Sequence, residues 1–308
     1  MNIPIPDTLP VFHHHLGEGL EGHRLLPFMA ALGCLVVASH HLPEQNLRLG
    51  WQNGLYWRPI WTLNQAWTRT QLVEQLLLGL KTRLSAPELA FADDLTVSPE
   101  HFRALLLTLE LEAQPHQRQN VDLAAALGSE LYPGEKAIQD TAFRTMSGAG
   151  HQHFLKTIRE LLAVVEHSHL EKTLFMPWRY SDERLSMRWD AADDRRHALR
   201  AQDPSSTPPR TEWGANALAA LSLSCFPSVI TGTTLKTVGF NGRHFRWPLW
   251  KTPLSLPVIR SLLNHPALWS LDDLALSALG VVQVMECDRL SVDKFRSFSP
   301  ARSVWRAT

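Results

Sequence analysis

The chain has 308 residues, 44% of them hydrophobic and 19% charged, and 30 basic side chains balance 30 acidic ones to a formal net charge of zero. That length buries a substantial core in one large domain or two ordinary ones, and the composition excludes disordered and collagen-like chains. No run of eighteen apolar residues offers a membrane helix, and neutrality removes any global electrostatic argument for a nucleic-acid partner.

The opening residues have prolines and an aspartate where a signal peptide needs a basic start and an apolar run, so the expected location is the cytoplasm. Cys34, Cys225 and Cys287 are odd in number and set in apolar surroundings, which predicts three reduced, packed thiols and neither a disulfide framework nor a structural zinc.

In chain order, "LLPFMAALGCLVVASHH" predicts a mostly buried helix over Leu25 to His41, with Pro27 in its first turn and Pro43 stopping it. Gly33, in its middle, costs roughly 1 kcal/mol relative to Ala and so marks close packing against another element. Leu47 to Trp61 reads as a β-hairpin around Asn53-Gly54. Apolar spacing predicts a helix within Leu63 to Leu84, and Ser98-Pro99-Glu100 reads as the capped start of a second.

A glycine-bearing turn, Gly148 and Gly150, then feeds one long helix from Phe154 through Val165 and beyond. After Met176 the prolines 204, 208 and 209 precede a helix at "GANALAALSL", and "TTLKTVGF", "RHFRWPLW", "GVVQVMEC" and "ARSVWRA" are strand candidates. The pattern predicts an α+β fold: a helix-rich N-terminal lobe with a β-hairpin over residues 1–176, and a basic-biased C-terminal lobe of mixed short strands and helices over 177–308, either as two lobes or as one continuous domain.

Charge is unevenly spread. Leu84 to Asp140 carries ten acidic and three basic residues, whereas Ser228 to Ser270 carries five basic residues and no acidic one. Four motifs invite a functional reading. Adjacent His13, His14 and His15 cannot all face one ion in a regular element, which favours surface or packing roles. "SGAGHQH" lacks the ending of a nucleotide P-loop; it is either an ordinary helix start or a backbone cradle for nucleic-acid phosphate using Gly148, Gly150, His151 and Lys156.

"RWDAADDRRHALRAQDPSS" has three readings: a salt-bridged loop; a network in which aspartates orient Arg188, Arg195, Arg196 and Arg200 toward a phosphate backbone; or a metal-dependent nuclease centre at Asp190, Asp193, Asp194 and His197. The arginines would compete with an ion for the same carboxylates. In "GFNGRHFRWPLWKTP", Arg243, His244, Arg246 and Lys251 interleave with aromatics, which suits either cation and stacking contacts to single-stranded or flipped bases, or a strand whose aromatics face the core and whose arginines face water; both hold if the basic row is the ligand face. No G-x-S-x-G elbow and no H-E-x-x-H is present, and no catalytic residue or cofactor is assigned.

"FMAALGCL", "LRLGW", "WRPIW", "SGAGHQHFLKT", "RWDAADDRRHALRAQDPS", "GANALA" and "FRWPLW", in that order, resemble the short Csb-type proteins of type I-U (type I-G) CRISPR systems, some of them treated as a diverged large subunit of the effector complex. The resemblance spans most of the chain. It implies a non-catalytic subunit of an RNA-guided surveillance complex in antiviral defence, assembled with other effector subunits and a guide RNA, meeting target DNA, and working beside a separate helicase-nuclease. The alternatives are the metal-dependent nuclease above, or a protein-only scaffold acting through the acidic helical region.

Overall fold

The structure is a computed structural model and describes residues 13–114, 118–131, 136–146, 153–193, 210–292 and 295–307. The chain enters through strand β1 (His13–Leu16) and helix α1 (Leu25–His41), then forms the hairpin β2 (Arg48–Gln52) and β3 (Arg58–Leu63). The first three strands make an antiparallel sheet in the order β1-β3-β2. Alternation along β1 turns His14 to solvent and buries His15 near the Phe175 ring, so the three histidines diverge, as strand geometry requires.

The hairpin forms where expected, but its connection is the five-residue segment 53–57, and Gly54 does not take the left-handed backbone that a two-residue type I′ turn needs. Trp57 explains the longer loop. Its carbonyl accepts the Gly22 amide at 2.8 Å and its indole N–H donates to Gln283 at 2.8 Å, which holds it away from strand pairing.

Helices α2 (Arg69–Lys81), α3 (Pro87–Ala90), α4 (Pro99–Leu111) and α5 (Arg118–Leu127) follow. Thr68 and Gln71 close a capping box on α2, and the Ser98 hydroxyl caps α4 as its sequence predicts. The short pair β4 (Gly128–Ser129) and β5 (Gln139–Asp140) leads to α6 (Phe154–Val164) and α7 (His167–Phe175). These two helices replace the single long helix expected. Val165 is fully buried in extended conformation, and Glu166 restarts the chain as the cap of α7, in a capping box with His169.

Strands β6 (Asp182–Glu183) and β7 (Arg210–Thr211) pair ahead of α8 (Trp213–Ser222). Residues Leu25 to Ala38 of α1 are all buried, as is α8 from Gly214 onward, and the two helices pack directly on each other. Gly33 makes that approach workable: a methyl group there would collide with the carbonyl of Leu218.

Next come a hairpin, β8 (Ser228–Thr231) with β9 (Thr234–Thr237), and the strands β10 (Phe240–Asn241) and β11 (His244–Trp250). Three short helices, α9 (Leu256–Leu263), α10 (Ala267–Ser270) and α11 (Asp273–Ala278), precede β12 (Val281–Val292), β13 (Phe295–Phe298) and β14 (Arg302–Arg306). The main sheet runs β10-β11-β12-β13, with β14 also paired to β12, and all its contacts are antiparallel.

The architecture is therefore α+β, and its core crosses residue 176. Trp247 donates to the Gly22 carbonyl at 2.9 Å, Trp250 donates to that of Leu49 at 2.7 Å, and Leu49 bridges Leu254. Five tryptophans, 51, 61, 189, 247 and 250, are fully buried. Each aromatic of this kind contributes on the order of 2 kcal/mol by burial. Among the described residues no helix is long and apolar enough to cross a membrane.

Candidate nucleic-acid interface

The opening of the "RWDAADDRR" stretch is core. Met187 and Trp189 are fully buried, the Met187 amide donates to Asn216 at 2.8 Å, and the Trp189 indole donates to the Phe143 carbonyl at 2.9 Å. Between them Arg188 takes a left-handed backbone (φ 58°), its amide held by Ser186 at 3.0 Å. Asp190 is buried and accepts from Arg24 at 2.7 Å, from the Tyr180 hydroxyl at 3.0 Å and from the Ala192 amide at 3.1 Å. Burial opposes the Arg24 charge, but Asp190 and Tyr180 outweigh it and hold its pKa above the ordinary value. Burial, then Asp190, pushes the Tyr180 phenol up.

Asp190 thus serves Arg24, the residue that precedes α1. Asp193 ends a 3-10 turn, Ala191–Asp193, while Asp194, Arg195, Arg196, His197 and Arg200 lie outside the described residues.

Gly148, Gly150 and His151 also lie outside them, but the start of α6 is described. The Phe154 amide donates to Asp94 at 3.3 Å and the Lys156 amide to the Asp93 carbonyl at 2.9 Å. An internal carboxylate therefore stands at the helix N-terminus where a phosphate would sit. The Lys156 side chain is exposed and 4.0 Å from Glu160.

Among the described residues, one face of the β11-β12-β14 sheet gathers a cluster of charged side chains. Register places His244 opposite Asp288, Arg246 opposite Glu286, and Glu286 opposite Arg302, so these side chains share a face. Phe245, Trp247 and Leu249 take the other face, into the core. Glu286 is 3% exposed and sits between two guanidiniums: Arg246 donates to Oε2 at 2.6 Å and Arg302 donates to Oε1.

Arg246 is engaged further: its Nη1 donates to the carbonyls of Leu268 and Trp269 at 3.1 Å each, and its guanidinium lies 4.6 Å above the Trp269 ring. His244 Nδ1 lies 2.7 Å from Asp288, and Arg243 lies 3.7 Å from the same carboxylate.

Two cations on this face keep most of their heads in water: Arg243 is 68% exposed and Arg302 56%. Lys251 is also exposed, but it lies past the far end of β11, eight residues from Arg243, a strand distance of roughly 25 Å. The structure therefore brings Arg243, His244 and Arg246 together, places Lys251 and Lys156 elsewhere, and adds Glu286, Asp288 and Arg302.

The added residues had a readable signal. Glu286 and Asp288 stand two apart, as do His244 and Arg246, and opposite charges at matched strand spacing specify a cross-strand register.

His244, Glu286 and Asp288 are also the one group among the described residues whose ligand atoms lie close enough for a metal, within 4.8 Å of one another. The donor set does not fit a cation. Both oxygens of Glu286 already accept guanidinium N–H groups, and Arg243, Arg246 and Arg302 would repel a further positive charge. Its chemistry is that of an ion-pair network in which carboxylates fix arginines at a surface. Compared with known protein families, curated proteins and solved structures, the chain matches none.

Proposed function

We propose that this chain is a non-catalytic subunit of a type I CRISPR RNA-guided surveillance complex in antiviral defence, contacting guide RNA or target DNA through the β11-β12-β14 face. The sequence resemblance supports the assembly, and one structural observation supports the contact. On that face Glu286 and Asp288 hold Arg246 and His244, while Arg243 and Arg302 project from the same carboxylates into water.

An exposed arginine with its guanidinium oriented by one carboxylate meets a phosphate at reduced entropic cost and in bidentate geometry. Backbone contact of this kind needs no global positive charge, because base pairing supplies sequence recognition in such complexes. The metal-dependent nuclease reading has less support: Asp190 is buried, with Arg24, Tyr180 and a backbone amide on its oxygens.

The test is a salt series. Affinity for a single-stranded RNA and for a DNA duplex is measured by anisotropy for the natural chain and for an Arg243→Ser, Arg302→Ser double variant. The double variant should bind more weakly to every sequence, with a log-log salt slope shallower by about 2. Equal affinity and equal slope would remove this face from the reading.

A further inference from the structure

We propose that the pocket enclosed by the end of α1, the end of α2 and the start of α5 binds a small inorganic oxyanion of phosphate size. It is lined by His40, His41, Thr82, Arg83, Gln119 and Ser224, among others, and holds about 60 Å³ of space for the centres of water-sized molecules. That is room for on the order of four waters, the heavy-atom size of a tetrahedral oxyanion.

Two observations point to an occupant, and to its charge. First, a buried polar atom on the pocket wall, His40 Nε2, has no hydrogen-bond partner, and neither have Nε and Nη2 of Arg260, which stands near His40 outside the lining. Buried polar atoms are rarely left unsatisfied, and a group of them beside a polar cavity marks the place of a ligand or ordered water. The Arg260 atoms are donors, and His40 Nε2 is a donor whenever it carries its proton, so a ligand rich in acceptors matches them.

Second, two guanidiniums stand at or beside the pocket. Arg83 lines it and pairs with the buried Glu88, and Arg260 shares Asp122 at 2.6 Å with the mostly exposed Arg118 at 2.8 Å, so one carboxylate divides its oxygens between two arginines. Their field reaches the pocket wall: burial first, then Arg260, with Arg83 adding and Asp122 opposing, holds the His40 imidazole down at about 4. A bound anion would reverse that repulsion and favour the imidazolium. This proposal is independent of the nucleic-acid reading, because the pocket lies among helices and shares no residue with the sheet face.

The experiment is calorimetric titration of the full chain with sodium phosphate against sodium chloride of equal ionic strength, with His40 followed by NMR. The natural chain should show saturable binding and a rise in the His40 pKa. His40→Asn should bind roughly tenfold more weakly, the loss expected for one hydrogen bond to a charged group. Gln119→Leu, at a half-buried position, should weaken binding likewise and keeps the test decisive if His40→Asn fails to fold. The Arg243→Ser, Arg302→Ser variant should bind phosphate as the natural chain does. Absence of saturable binding, unchanged affinity in both pocket variants, or loss of binding only in the surface variant would each overturn the proposal.

Discussion

Arg24 and Asp190, 166 positions apart in the chain, meet at 2.7 Å, with the Tyr180 hydroxyl completing the contact. The pair ties the end of the Met187–Asp190 core segment to the residue that precedes α1. Removing Arg24 strands the buried Asp190 carboxylate, so Arg24→Ala should cost about 3 kcal/mol or more in urea unfolding. Arg24→Ala combined with Asp190→Ala should cost less than the sum of the single changes. Strict additivity would show that the two side chains do not depend on each other.

Gly33→Ala should destabilise the protein by roughly 1–3 kcal/mol, although Ala is the better helix former, because the added methyl collides with the Leu218 backbone. A rise in the thermal midpoint would contradict the α1-α8 packing.

The arginines of the sheet face should separate by role. Arg246→Met should lower stability and leave the salt slope of nucleic-acid binding nearly unchanged, since Arg246 is consumed by Glu286, two carbonyls and Trp269. Arg302→Ser should leave stability within about 0.5 kcal/mol and make the slope shallower by about 1. Denaturant midpoints and a salt series on the two single variants distinguish the roles, and a reversed pattern would refute the division.

Much of this was legible beforehand. Leu25–His41, the Ser98 cap and the strand at "RHFRWPLW" follow from periodicity and cap chemistry, which act over a few residues. The break at Val165 was not, because the apolar spacing continues across it and only the Glu166 cap interrupts the helix. Nor were the partners of the charged motifs. Asp190 lies among arginines in sequence yet bonds to Arg24, and Arg246 is neutralised by Glu286, 40 positions on; such contacts are set by tertiary packing, which local patterns do not encode.

Stability should rise with pH between about 4 and 6.5. The His40 imidazole is held at about 4 in the folded chain against 6.5 for the free group, so across that window the unfolded chain binds the additional proton. The His40 contribution is complete above 6.5 and is lost as pH falls toward 4. His40→Gln should flatten this part of the profile in chemical unfolding; an unchanged slope would place the dependence elsewhere.

All three cysteines are buried, and burial pushes their thiols up, Cys225 to about 11. A thiol reagent at neutral pH should find no reactive group in the native chain and three in denaturant. Rapid native labelling would contradict the packing of α1, of the turn that follows α8 and of β12.

The most direct test of the central claim is co-expression of the tagged chain with candidate type I CRISPR effector subunits and a CRISPR array, followed by gel filtration and extraction of nucleic acid from its peak. A discrete guide-sized RNA eluting with this chain and several protein partners is the predicted result. A lone, RNA-free monomer under the same conditions would contradict it.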